Sequence, residues 1–212
     1  MKSLTNFIIK PKEGERYNNV KKVGEKELIL NTNLQDHRYV NRTGVVISTP
    51  ILEKTDIEKG DEVIVHHNIF RRFHDIKGVE KNSKSFYEDN MYFAWSDQVF
   101  LFKKPGSEEW KAPLDYSFVK PIENKNSILG AEKEHSLVGI LKYTNSLLEE
   151  LEINVGDIVG FTPSSEYEFI IDGERLYRVL TKSITIKYGR QNNETEYNPS
   201  WAESSRGVNQ SS

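Results

Sequence analysis

The side chains with the most obvious chemistry crowd into one stretch. Three of the five histidines, His66, His67 and His74, lie there with Arg71 and Arg72 among them. Imidazole is the commonest protein ligand for transition metals, so a metal site is the first candidate. The spacing argues against it. His66 and His67 continue from Val63-Ile64-Val65, which reads as a strand, and neighbours on a strand point to opposite faces. Two such imidazoles do not converge on one ion, and no acidic or further histidine cluster at ligand spacing joins them. These histidines are read as structural or hydrogen-bonding groups, with no metal ligand assigned. Arg71 and Arg72 read either as partners for carboxylates across a subunit interface or as facing water, and water, the common fate of exposed charges, is the expectation.

Other catalytic chemistry is equally thin. The chain has no phosphate-binding glycine-rich loop ending in Lys-Ser or Lys-Thr, and no nucleophile elbow. No catalytic residue and no cofactor is assigned. Leu28-Ile29-Leu30 sets three large aliphatics in a row within a polar region running from about residue 12 to 42. Such a triplet reads either as a short buried strand or as a sticky segment on a mobile loop that docks in another protein's apolar groove. Ordering a loop on contact costs conformational entropy, which keeps affinity modest and release possible. Ile128-Leu129 is a smaller apolar pair in a second polar stretch.

Both segments hang from a pattern that occurs twice. Gly60-Asp61 opens into Val63-Ile64-Val65, and Gly156-Asp157 opens into Ile158-Val159-Gly160-Phe161. Upstream of these turns lie Thr43-Gly44-Val45-Val46-Ile47 and Val138-Gly139-Ile140-Leu141. Phe7-Ile8-Ile9-Lys10-Pro11 is echoed by Phe118-Val119-Lys120-Pro121. Strands at 91–95 and 99–102 around Ser96-Asp97 are paralleled by strands at 176–180 and 184–188 around Thr181-Lys182-Ser183. Residues 167–171 run into Asp172-Gly173, a hairpin signal. Leu147-Leu148-Glu149-Glu150-Leu151 supports one helical turn at most. An internal repeat governs the fold reading, which is all-β with two units. The first spans 1–104 with its loop at about 12–42, 105–116 is a linker, the second spans 117–189, and 190–212 is a flexible tail. Residues 77–90 read as an exposed excursion.

Bulk properties exclude several classes. Formal net charge is −3 with 29% charged residues, without the basic excess that neutralises a phosphate backbone, so nucleic acid is not the expected partner. There is no cysteine, hence neither a disulfide framework nor a thiolate metal site. No apolar run approaches the roughly 20 residues that span a bilayer. The N-terminus carries no secretory leader pattern, and a cytoplasmic, membrane-free location is expected.

Taken in order, these blocks resemble the GroES family of co-chaperonins (chaperonin-10). Leu28-Ile29-Leu30 resembles that family's chaperonin-binding tripeptide, and Arg42-Thr43-Gly44-Val45-Val46 resembles its Arg-Gly-x-Val strand with one extra residue. Gly60-Asp61-Glu62-Val63-Ile64-Val65 resembles its turn and strand, and 91–102 its closing strands. The resemblance covers most of residues 5–188, more loosely in the second half. It implies two tandem GroES-like β-barrels that cap an ATP-driven, GroEL-like chaperonin ring and assist folding of unfolded clients, a protein that binds rather than an enzyme. It also implies a homo-oligomeric ring, with Leu28, Ile29, Leu30, Ile128 and Leu129 as partner-binding residues. The connection from Val46 to Gly60 is too short for the family's roof hairpin, a feature resembling phage-encoded members. The tandem arrangement resembles the double-barrel organellar ones. A viral structural or assembly protein reusing such barrels is the alternative expectation, and a metal-dependent enzyme a more distant one.

Overall fold

The computed structural model describes residues 2–18, 20–23, 26–29, 39–124, 133–191 and 194–203, with 20–23 and 26–29 as backbone. The chain is mostly β and divides into two compact units, Met1–Glu109 and Trp110–Ser212. Among the described residues no helix is long and apolar enough to cross a membrane.

The first unit contains β1 (Phe7–Pro11), β2 (Val20–Val23), β3 (Lys26–Ile29), β4 (Thr43–Ser48), β5 (Glu62–Val65), β6 (Arg72–His74), β7 (Glu80–Asn82), β8 (Tyr92–Ala94) and β9 (Val99–Lys103). Its main antiparallel sheet has the order β8-β1-β4-β5-β9, while β2-β3 and β6-β7 form separate hairpins. The second unit contains β10 (Tyr116–Glu123), β11 (Glu134–Tyr143), α1 (Ser146–Glu150), β12 (Asp157–Phe161), β13 (Glu166–Ile171), β14 (Glu174–Leu180), β15 (Ile184–Arg190) and α2 (Ser200–Glu203). Its sheet runs β13-β14-β10-β11-β12-β15. With β10, β11, β12, β14 and β15 set against β1, β4, β5, β8 and β9, the strand order is identical, and β13 is an added edge. Among the described residues no pairing joins the outer strands of either sheet, so both sheets are open.

The repeat extends to register. Pro11 lies opposite Gly44 as Pro121 lies opposite Gly139, and those glycines face Val63 and Val159 on their other side. Tyr92 pairs with Ile9 as Tyr177 pairs with Val119. Both first strands shift register at the same place, between Ile8 and Ile9 and between Phe118 and Val119. Since successive strand residues face opposite sides, a shared register gives shared cores. Ile9, Val46, Ile57, Val63, Val65, Tyr92 and Val99 pack together in the first unit. Val119, Leu141, Ile153, Val159, Phe161, Tyr177 and Ile184 take the corresponding places in the second.

The turn that announces the repeat is built the same way twice. Gly60 and Gly156 have φ of +96° and +88°, which only glycine adopts cheaply. Their amides donate to the Val46 and Leu141 carbonyls at 2.8 and 2.9 Å, tying each turn to the preceding strand. The following aspartates are buried, and Oδ2 of Asp61 and of Asp157 accepts from the amides of Glu58 and Asn154, at 2.8 Å in both cases. A lysine closes each carboxylate, Lys104 just beyond β9 at 3.0 Å and Lys187 on β15 at 2.9 Å.

Burial pushes the Asp157 carboxyl up, but the Asn154 amide and Lys187 outweigh it and hold it below its ordinary value. A carboxylate depressed in the folded state stabilises above its unfolded pKa of about 4, and that stability is lost as pH falls through the folded value. Asp157→Asn is expected to cost about 1–3 kcal/mol at neutral pH, through loss of charge-assisted hydrogen bonds. The deficit against the parent should shrink on acidification. Urea midpoints of the two proteins, followed from neutral pH to about pH 3, check this.

Two expectations about the second unit meet different outcomes. The helical turn is present as α1, capped by the Asn145 side chain, which accepts from the Leu148 amide at 3.1 Å. The flexible tail expected over 190–212 is corrected for 194–203, which is held against the sheet. Glu196 bridges Ile122, the Tyr197 amide donates to Pro121 O at 2.9 Å, and Ala202 is fully buried. Asn198 is the physical reason: its short amide accepts from the Arg175 amide at 2.9 Å and donates to Gly173 O at 3.1 Å, tying down the β13-β14 turn side. Residues 204–212 lie outside the described residues.

Candidate functional site

The binding segments expected from the sequence lie between the first and second strands of each repeat. In the first unit the backbone of Leu28 and Ile29 belongs to β3, opposite Lys21 and Val20 of β2. The stretch read as loop from residue 12 onward thus contains a β-hairpin, and among the described residues that hairpin has no third strand. Leu30, Ile128 and Leu129 lie outside the described residues.

The feet of the first loop are tightly held. Tyr17 and Val40 bridge across the base, the Asn18 amide donates to Tyr39 O at 2.7 Å, and the Asn41 amide donates to Arg16 O at 2.9 Å. The Asn41 side chain donates to Glu15 O at 2.7 Å and accepts from the Thr43 amide at 2.9 Å. Tyr17 and Val40 are buried in the core of the unit. Arg16 reaches sideways, donating to Phe70 O at 3.0 Å, Arg71 O at 3.3 Å and Asn82 Oδ1 at 2.8 Å. Its guanidinium stands 5.3 Å from the centre of the Tyr92 ring, a cation–π distance. The loop is therefore displayed from a rigid neck that also fastens the β6-β7 hairpin.

The second loop leaves from an equivalent place with a different clamp. The Asn124 amide donates to Lys133 O at 3.0 Å, and Glu123 pairs with Glu134. Glu134 is gripped by Arg175, Nη1 to Oε2 at 2.8 Å, and accepts from the Tyr177 hydroxyl at 2.6 Å. Arg175 also bonds Glu168, and lies 5.0 Å from the Tyr177 ring centre and 6.0 Å from that of Trp201. Burial and the neighbouring Glu134 raise the Tyr177 hydroxyl above its ordinary value, so it stays a hydrogen-bond donor at physiological pH. A cavity of about 490 Å³ opens beside this clamp, lined in part by His135, Leu137, Arg175 and Trp201. Tyr92 and Tyr177 occupy the same register position, so each repeat stacks an arginine on the same tyrosine beside its loop.

Sequence reasoning missed both clamps. Arg16 and Tyr17 sit in a polar stretch without periodicity, and their partners are far along the chain. The visible signal was Tyr92 recurring as Tyr177 in the aligned repeat. Arg16→Ala is expected to cost about 1–3 kcal/mol, because it strips the hydrogen bonds of two backbone carbonyls. Amide hydrogen exchange should accelerate at 39–42 and 71–82, with 156–161 unchanged.

The histidine stretch is arranged differently from the expectation. β5 ends at Val65, so His66 and His67 lie in a turn rather than on opposite faces of a strand. Their rings stack with centres 4.3 Å apart, and His66 Nδ1 accepts from the Asn68 amide at 3.1 Å. Among the described residues no group of three or more histidines and carboxylates could hold a metal ion. Arg72 is corrected too. Instead of facing water alone it pairs with Glu80 at 2.9 Å and lies 5.1 Å from the Tyr17 ring centre, as part of the neck.

Comparisons with protein-family models, curated proteins and solved structures yield no match.

Proposed function

We propose that the chain is a tandem co-chaperonin of the GroES type, two β-barrel-like units that present loops to an ATP-driven chaperonin ring. One observation carries the reading: each repeat has the same five-strand order and register, and in each the chain is clamped on both sides of the stretch that holds the candidate contact residues, between the first and second strands. A loop on such a neck can order on contact without disturbing its unit. Leu28, Ile29 and Leu30 are the principal contact, with Ile128 and Leu129 as a weaker one. The mechanism is binding without chemistry. Several modest loop contacts presented by one assembly reach useful avidity through effective concentration, while each remains releasable. ATP binding and hydrolysis belong to the ring, and the clients are unfolded proteins enclosed beneath the cap.

The test is co-sedimentation of the purified chain with a GroEL-like chaperonin, with and without ATP. Nucleotide-dependent capture supports the proposal. A folded chain that stays in the supernatant under both conditions contradicts it. The assembly-protein alternative predicts that second outcome, together with recovery of the chain in purified particles.

A further inference from the structure

The β6-β7 hairpin and the α1 segment carry complementary surfaces that neither core nor loop accounts for. The hairpin is a rigid projection. Asp75 organises its tip, with Oδ1 accepting from the amides of Lys77 and Val79, each at 2.9 Å. Ile76 at that tip is 103% exposed, and Val79 and Phe73 flank it as exposed apolar side chains. Between Arg71 and Lys84 there are five basic residues against two acidic ones, in a chain whose net charge is −3. Lys77 and Lys81 are exposed and make no ion pair among the described residues. An ordered hairpin that holds an isoleucine fully in water, with Lys77 and Lys81 beside it and a net basic charge over 71–84, suits an acidic-rimmed apolar face.

The second unit offers that surface. Leu147 and Leu151 lie one turn apart on the same side of α1, and Leu151 and Val155 are 61% and 54% exposed. Glu149, Glu150 and Glu152 surround them, and from Ser146 to Val155 there is no basic residue. Glu149 reaches Lys111 at 3.8 Å, whereas Glu150 and Glu152 make no ion pair among the described residues.

We infer that the β6-β7 hairpin of one chain docks on the α1 surface of a second copy. Apolar side chains meet at the centre and lysines meet glutamates at the rim. Because the two surfaces are different and lie in different units, the contact is heterologous, and repetition generates a ring or an open filament. The inference does not depend on the chaperonin reading.

Sedimentation velocity over a wide concentration range, at low and high salt, tests it on the full chain. The parent is expected to associate with rising concentration, and less so in high salt. Lys77→Glu with Lys81→Glu makes the hairpin and the α1 face both acidic. Glu150→Lys with Glu152→Lys makes both basic. Each double variant alone should lose at least about tenfold in association constant, and an equimolar mixture of the two should recover it, because every contact in the mixture pairs opposite charges. All four positions are exposed, and unchanged thermal midpoints will show that the variants fold. A parent that remains monomeric throughout overturns the inference. So does association that neither variant weakens, or a mixture no better than its components. If the parent is monomeric and Ile76→Asp instead lowers capture by a chaperonin, the hairpin belongs to the ring contact, and self-docking is wrong.

Discussion

Ile29→Asp is expected to reduce capture of the chain by a chaperonin ring by more than about 100-fold, with no loss of the folded state. The magnitude follows from desolvation. An aliphatic side chain seated in an apolar groove contributes about 1.5–3 kcal/mol, and a carboxylate there loses that contribution and adds an uncompensated charge. One loop would be weakened about tenfold to a hundredfold, and an assembly that binds through several loops multiplies the loss. Folding should tolerate the change, because the β2-β3 hairpin is outside the main sheet and the neck below it is held by Tyr17, Val40 and Asn41. Far-ultraviolet circular dichroism and thermal midpoint serve as controls. Unchanged capture by a folded variant would remove Leu28-Ile29-Leu30 from the interface.

Gly139→Val is expected to be the most damaging single substitution in the second unit. A Cβ at this position would stand 2.8 Å from Lys120 O and 2.9 Å from Val119 Cβ. Both belong to β10, which is held between β11 and β14, so the strands must separate, with a cost of about 3 kcal/mol from overpacking and lost ladder bonds. In a unit of this size the midpoint should fall by upwards of about 10 °C. The equivalent Gly44 would meet Lys10 O at 2.9 Å, so Gly44→Val should wound the first unit in the same way. Thermal scans of both variants check whether the two glycines perform one job at one register position.

That job explains why the architecture was legible. Gly44 and Gly139, Gly60 and Gly156, Asp61 and Asp157 are demanded by the backbone: two close strand crossings, two positive-φ turns, two buried carboxylates. A requirement of that kind selects a residue type and so leaves a trace in a single sequence. The neck left none. Arg16 acts on residues 70, 71 and 82, and Arg175 on Glu134 and Trp201, so each clamp exists only after the chain has folded. An arginine in a polar run reads as solvated until its partners are known. His66 and His67 are hard to read for a related reason: the strand that precedes them stops at Val65, and alternation has no meaning in a turn. Residues 194–203 read as tail because their anchors are backbone amides and scattered side chains, among them Asn198 at the β13-β14 turn, Glu196 on Lys120 and Trp201 near Arg175, rather than an apolar stripe.

The doubled loop on a doubled scaffold is the core of the functional account, and direct imaging tests it best. The full chain mixed with a GroEL-like chaperonin and ATP, then viewed by electron microscopy, should show rings closed at one or both ends by added density, and open rings when nucleotide is omitted. Rings that remain bare in ATP, with the chain folded and in excess, would contradict the account.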